Sequence, residues 1–157
     1  GLIQAAINGH INVVDFLIQK GAKNINEGLL KAAREGYIDI VELLIQYGAN
    51  NFYDGLISAA QGGNIDIVEL MIQQGATNFN EGMKFATMNN HQAIVELMIQ
   101  YGATNFDDGL ILAAKNGNES IAELMIKNGA TNFSEGIRTA TRNRHPYVAD
   151  LIRSYMS

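Results

Sequence analysis

The sequence predicts an all-α solenoid of stacked helix–turn–helix repeats with shortened connectors. Three observations predict it. Written in rows of 27, the 157 residues align without a gap in five full rows and a sixth of 22. Fifteen of the 16 glycines fall at three fixed places in the row (first, ninth and twenty-first), and Gly62 alone stands outside them. Each row carries two short stretches with apolar residues at helical spacing and none with the alternation of a strand. The rows span 1–27, 28–54, 55–81, 82–108, 109–135 and 136–157, and together form one repeat domain.

The first helix of a row is expected to run from about the row start to its eighth residue, as in Gly55, Leu56, Ile57, Ser58, Ala59, Ala60 and Gln61. Asn26, Asn80, Asp107 and Ser134 precede it by two residues and have side chains able to cap a helix start. An acid follows each time (Glu27, Asp54, Glu81, Asp108, Glu135), which suits the positive end of the helix dipole. Tyr53 breaks this cap pattern and leaves Asp54 to cap one residue later. The second helix is more apolar, as in the stretch from Ile65 to Gln73, where Asp66, Glu69 and Gln73 form the wet face. Gly75 is expected to end it. The connector from Gly75 to Asn80 then leads to the next row, with Phe52, Phe79, Phe106 and Phe133 as wedges sealing the core. The phased glycines are read as left-handed helix ends or tight turns. Both helices are shorter than the ~12–15 residues an isolated helix needs, so the rows must stack to fold. The small pair Ala59–Ala60, repeated in most rows, lets the helices approach closely.

These residues resemble the ankyrin repeat. The matching segment runs from Leu2 to Ala22, with the pairs Gly9–His10 and Gly21–Ala22, and it recurs in register along the whole chain. The resemblance implies an ankyrin-like α-solenoid. The usual period is longer by six residues, and the Thr-Pro-Leu-His helix opening is absent. The shortening falls in the connector, so a simpler stack without long β-hairpin fingers is expected. Short arrays with connectors of the Gly-Ala-Thr-Asn-Phe type look like those of giant DNA viruses and some protists. A location inside the cell, cytoplasmic or nuclear (the host cell if viral), follows from that likeness. The array begins in phase at Gly1 without a Met, and the expectation is that the natural protein continues N-terminally.

Composition narrows the chemistry. With no cysteine, thiolate metal sites and cysteine nucleophiles are excluded. A net charge of −5 argues against a general nucleic-acid binder. No stretch approaches the roughly 18 apolar residues that span a bilayer. His10, His91 and His145 all stand tenth in their rows, so stacking holds them apart rather than around a metal. The resemblance gives them the role of turn histidines bonding neighbouring backbone. Asp15, Glu42, Glu69, Glu96, Glu123 and Asp150 stand fifteenth and read as a solvated ladder, not a catalytic pair. Asn24, Asn51, Asn78, Asn105 and Asn132 recur in every connector, where an amide is expected to bond the next row's backbone. Glycosylation sequons at Asn118 and Asn132 are short patterns in an Asn-rich chain and carry no weight. No catalytic residue, cofactor or metal is expected.

Binding residues should vary while the frame repeats. In ankyrin arrays the concave surface comes from first helices and the connectors before them. Here the variable places are third, fourth, seventh and eighth. They give Lys31, Arg34, Lys84, Phe85, Met88, Asn89, Lys115 and Arg142 as candidate protein-binding residues. Row four departs most, and Phe85 with Met88 suggests an apolar hot spot with a polar rim. Tyr47, Tyr101 and Tyr155, twentieth in alternate rows, are a second interface candidate. Row charges run 0, −2, −3, −2, −1 and +3, so the last row is basic and reads as a polar terminal cap, with Pro146 opening its second helix. The expected protein is a monomeric, non-catalytic interaction module whose partner is another protein. Competing classes are the substrate-receptor arm of a larger adaptor, such as a ubiquitin-ligase component, and an enzyme.

Overall fold

The structure, a computed structural model, describes residues 1–157 as twelve α-helices with no strand. They are α1 (Leu2–Ile7), α2 (Ile11–Gln19), α3 (Ile25–Glu35), α4 (Ile38–Gln46), α5 (Phe52–Gly62), α6 (Ile65–Gln73), α7 (Phe79–Met88), α8 (Gln92–Gln100), α9 (Phe106–Asn116), α10 (Glu119–Lys127), α11 (Phe133–Arg142) and α12 (Pro146–Ser154). They fall into two compact units, Gly1–Asn78 and Phe79–Ser157. In the first unit α1, α3 and α5 pack side by side, each paired with its following helix. In the second unit α7, α9 and α11 do the same, paired with α8, α10 and α12.

The second helices lie where the apolar pattern puts them. In α4, Ile40, Val41 and Leu44 are buried, and in α10, Ile121, Ala122 and Met125. Burial of each such large side chain stabilises by about 1.5–3 kcal/mol, against a comparable cost in chain entropy. Much of that burial is between repeats. Ile40 is 1% exposed, whereas Val13, at the same place in the first helix pair, is 46% exposed. Turns out of both helices use a left-handed residue: Gly36 has φ +90° and Gly75 φ +105°. Where the ninth place is not glycine, Asn90 (φ 61°) and Arg144 (φ 64°) adopt the same backbone. Pro146 stands at the start of α12, where its missing N–H costs nothing.

Three local expectations are corrected. First, from α3 onward the first helices start earlier than the row. Phe52, Phe79, Phe106 and Phe133 are not connector wedges but the half-buried opening residues of α5, α7, α9 and α11. Second, Asn26, Asn80, Asp107 and Ser134 do not cap these helices; each lies inside the first turn. The cap position at α3, α5, α9 and α11 is held by Asn24, Asn51, Asn105 and Asn132, none of which caps through its side chain. Asp54 likewise sits in the first turn of α5. Third, the row-start glycines end nothing. Gly28, Gly55, Gly109 and Gly136 are buried inside helices, and a Cβ at Gly55 or Gly109 would lie 2.5 Å from the sulfur of Met71 or Met125. They let the paired second helix approach.

Candidate binding surface

The candidate residues sit on the first helices or just past their ends. Lys31 and Arg34 belong to α3, where Lys31 is half-buried and Arg34 exposed. Lys84, Phe85 and Met88 belong to α7. Lys84 and Met88 are exposed, Met88 by 45%, while Phe85 is half-buried. The Lys84 ammonium lies 5.9 Å from the Phe85 ring centroid, within cation–π range. Asn89 is exposed but already engaged, donating from Nδ2 to the Phe85 carbonyl at 2.8 Å. Lys115 and Arg142 are exposed in the last turns of α9 and α11, where the negative end of the helix dipole favours a cation. Within the second unit α7, α9 and α11 lie in sequence, so Met88, Lys115 and Arg142 occupy one equivalent place on three successive helices. Lys31 and Arg34 lie in the other unit.

A pocket of about 200 Å³ opens between α7 and α9, lined by Asn80, Glu81, Met83, Lys84, Asn105, Asp108, Gly109 and Leu112. Of these only Lys84 was among the sequence candidates. Leu112 stands fourth in its row, the variable place that Phe85 holds in the row before, and that shared place is the available signal. Asp108 and Glu81 belong to helix first turns, so the surface is acidic at one end of these helices and basic at the other.

Side chains expected to be free or to cap turn out to join repeats. Asn26 Oδ1 accepts from the N–H groups of Asn50 (2.8 Å) and Asn51 (3.1 Å). Asn80 Oδ1 accepts from Thr104 (2.8 Å) and Asn105 (3.1 Å), and Asp107 Oδ1 from Thr131 (2.6 Å) and Asn132 (3.0 Å). The connector asparagines thus bond mainly through their backbone N–H. Two exceptions use the side chain: Asn51 Nδ2 donates to Asp54, and Asn78 Nδ2 to the Tyr53 carbonyl. Tyr53, lacking the amide, pairs its hydroxyl with Thr77 Oγ1 at 3.0 Å.

The carbonyls ending the first helices are also covered from the next repeat. Asn64 Nδ2 donates to Ala33 O (2.9 Å) and Arg34 O (2.8 Å). Asn116 Nδ2 does so for Thr87 O (3.2 Å) and Met88 O (3.1 Å), and His145 Nε2 lies 3.1 Å from the Lys115 carbonyl, which can only accept. That contact is the role expected of a turn histidine. No group of three or more His, Asp or Glu side chains is placed to hold a metal ion.

The acidic ladder is not uniformly solvated. Tyr47 Oη donates to Asp15 Oδ1 at 2.6 Å, and Tyr155 Oη to Glu123 Oε1 at 2.9 Å, each reaching back one repeat. These bonds hold both tyrosine hydroxyls above their ordinary pKa, chiefly because ionisation would give up the proton donated to the carboxylate. Glu123 is held below its ordinary value, first by Lys127 and then by Tyr155. Tyr47 and Tyr155 are therefore struts between repeats, with their rings still exposed. Tyr101 stacks on Phe79, with ring centroids 5.4 Å apart.

The family model "Ankyrin repeats (3 copies)" matches at residues 1–54, 29–107 and 56–136. A comparison with curated protein sequences finds no match. Among solved structures, the chain is similar to the crystal structure of the human ASB11 ankyrin repeat domain. The TM-score is 0.82 at 19% identity, over 99% of this chain and 83% of that one. At that identity the likeness shows the fold alone.

Proposed function

Since this chain belongs to the ankyrin repeat family, we propose that it is a non-catalytic module that displays its first helices to a partner protein. Repeats of this family are generally protein–protein interaction modules. The observation that carries the reading to particular residues is Met88, 45% exposed, beside Phe85 and Lys84 on α7. An apolar side chain with a charged rim is what a small interface hot spot requires. The clamps from Asn26, Asn80 and Asp107 hold the helix pairs in place before binding, so little ordering entropy is lost on association.

Affinity capture with the parent chain and with a Phe85→Ala/Met88→Ala variant tests this. The variant should fold and lose a specific partner. A folded variant that retains every partner removes α7 from the interface. The 27-residue period supports a finer reading, that the array is of the short-period type of giant DNA viruses and protists acting inside the cell. The genes flanking its own would be viral or protist on that reading, and sequencing them checks it.

A further inference from the structure

The second unit carries unneutralised positive charge in a chain of net charge −5. Its ion pairs are Lys127–Glu123, Arg138–Glu135 and Arg153–Asp150. Lys115, Arg142 and Arg144 take part in none of them and are exposed. The three are close in the fold, because the Lys115 carbonyl is held 3.1 Å from the ring of His145, the residue after Arg144. Helix dipoles offset only about half a charge each, and Arg144 lies beyond the end of α11. Arg144 also holds φ at +64°, a backbone that four of the six repeats give to glycine (Gly9, Gly36, Gly63 and Gly117). A strained arginine where glycine would relax points to a use for its side chain.

Met88 extends this line by one helix. Packed helices lie about 8–10 Å apart, so Met88, Lys115 and Arg142, one on each of α7, α9 and α11, are spaced by roughly that distance. An extended polyproline-type segment advances about 9.3 Å every three residues and returns to the same face. A β-strand returns to one face every second residue, after about 6.6 Å, and misses the spacing.

We infer that the C-terminal ends of α7, α9 and α11 form a docking line for an extended acidic segment of a partner protein. One apolar residue of the segment covers Met88. Acidic residues at the third and sixth places from it meet Lys115 and then Arg142 with Arg144. This deepens the protein-interaction reading and rests on it, since it states the partner's chemistry at part of the same surface.

Fluorescence anisotropy on the full chain tests the inference with labelled Leu-Ser-Pro-Glu-Ser-Pro-Glu and its reversed sequence. Controls are a peptide of the same composition with the acids two apart, and a single-stranded oligonucleotide. At least one of the two three-spaced peptides should bind at least tenfold tighter than the two-spaced one and weaken as salt rises. Lys115→Glu/Arg142→Glu should cost at least tenfold, and the milder Lys115→Gln/Arg142→Gln several-fold with unfolding unchanged. Arg144→Gly should weaken binding about threefold while raising the melting temperature, which separates binding from folding. Equal affinity for both spacings overturns the inference, as does preference for the oligonucleotide. A captured partner that needs Phe85 and Met88 but ignores all the charge substitutions also overturns it, and leaves the protein-interaction reading standing.

Discussion

Gly62→Ala sets local propensity against packing, and the two predict opposite signs. Gly62 is the last residue of α5. In a helix, Gly→Ala ordinarily stabilises by about 0.5–1 kcal/mol. Here a Cβ would be driven onto the Arg34 carbonyl oxygen and to 2.6 Å from Asn64 Nδ2. The first of these is backbone and cannot swing away, so the overpacking cost belongs at the upper end of about 1–3 kcal/mol. Displacing the Asn64 amide also strips Ala33 O and Arg34 O of their donor, about 1–3 kcal/mol more. The net is a loss of about 3–5 kcal/mol, or about 6–20 °C in melting temperature for a chain of this size. Urea unfolding followed by far-UV circular dichroism reads it directly. Gly62→Ala/Asn64→Ala should keep most of the deficit, because the backbone contact remains. A Gly62→Ala midpoint equal to or above the parent's would refute the reasoning.

Three further outcomes are expected. Thr87 is fully buried with a hydroxyl that has no partner, at a place filled by Ala6, Ala33, Ala60 and Ala114 in other repeats; Thr87→Val should raise the unfolding free energy measured in urea by about 1 kcal/mol, and a fall would contradict this. Asp107→Ala should cost about 1–2 kcal/mol and speed hydrogen exchange at the Thr131 and Asn132 amides, while Asp108→Ala leaves those amides unchanged. For pH, the raised Tyr47 and Tyr155 hydroxyls contribute fully below the ordinary tyrosine value of about 10, and the contribution is lost as pH climbs through their folded values. Tyr47→Phe/Tyr155→Phe should therefore lose less stability than the parent above that pH, and identical profiles would dismiss the struts. Glu123 works in the other direction: its contribution is complete above the ordinary glutamate value and lost as pH falls through the lowered one.

The period, the paired helices and the bounds of the second helix were legible from spacing alone, because an apolar stripe of nine residues states its own face. The start of the first helix was not. Asn26, Asn80 and Asp107 have the composition of caps, but their oxygens are taken by backbone 24 and 25 residues away, so a distant contact overrides a local preference. The row-start glycines misled for a related reason. At Gly55 and Gly109 the cause is the side chain of Met71 or Met125, which lies in a different helix. At the surface, variability at the seventh place found exposed Arg34, Met88, Lys115 and Arg142. It missed Glu81, Asp108 and the pocket between α7 and α9, since a concavity belongs to two helices and neither shows it alone.

The helix-end carbonyls have a consequence for how such an array can be edited. Arg34 O is met by the tenth residue of the following row, Asn64, with Gly62 leaving room. Met88 O is met instead by the eighth, Asn116, and Lys115 O by the tenth again, His145. The joints are thus keyed from two different places although the backbone repeats. Exchanging the third row for the fifth would set Asn116 where Gly62 leaves room beside the Arg34 carbonyl, so the turn would have to shift. The order of the rows is thus written into the joints. Deletion or duplication of whole rows should be tolerated only where the new neighbours share a key, so near-identical repeats need not be interchangeable parts.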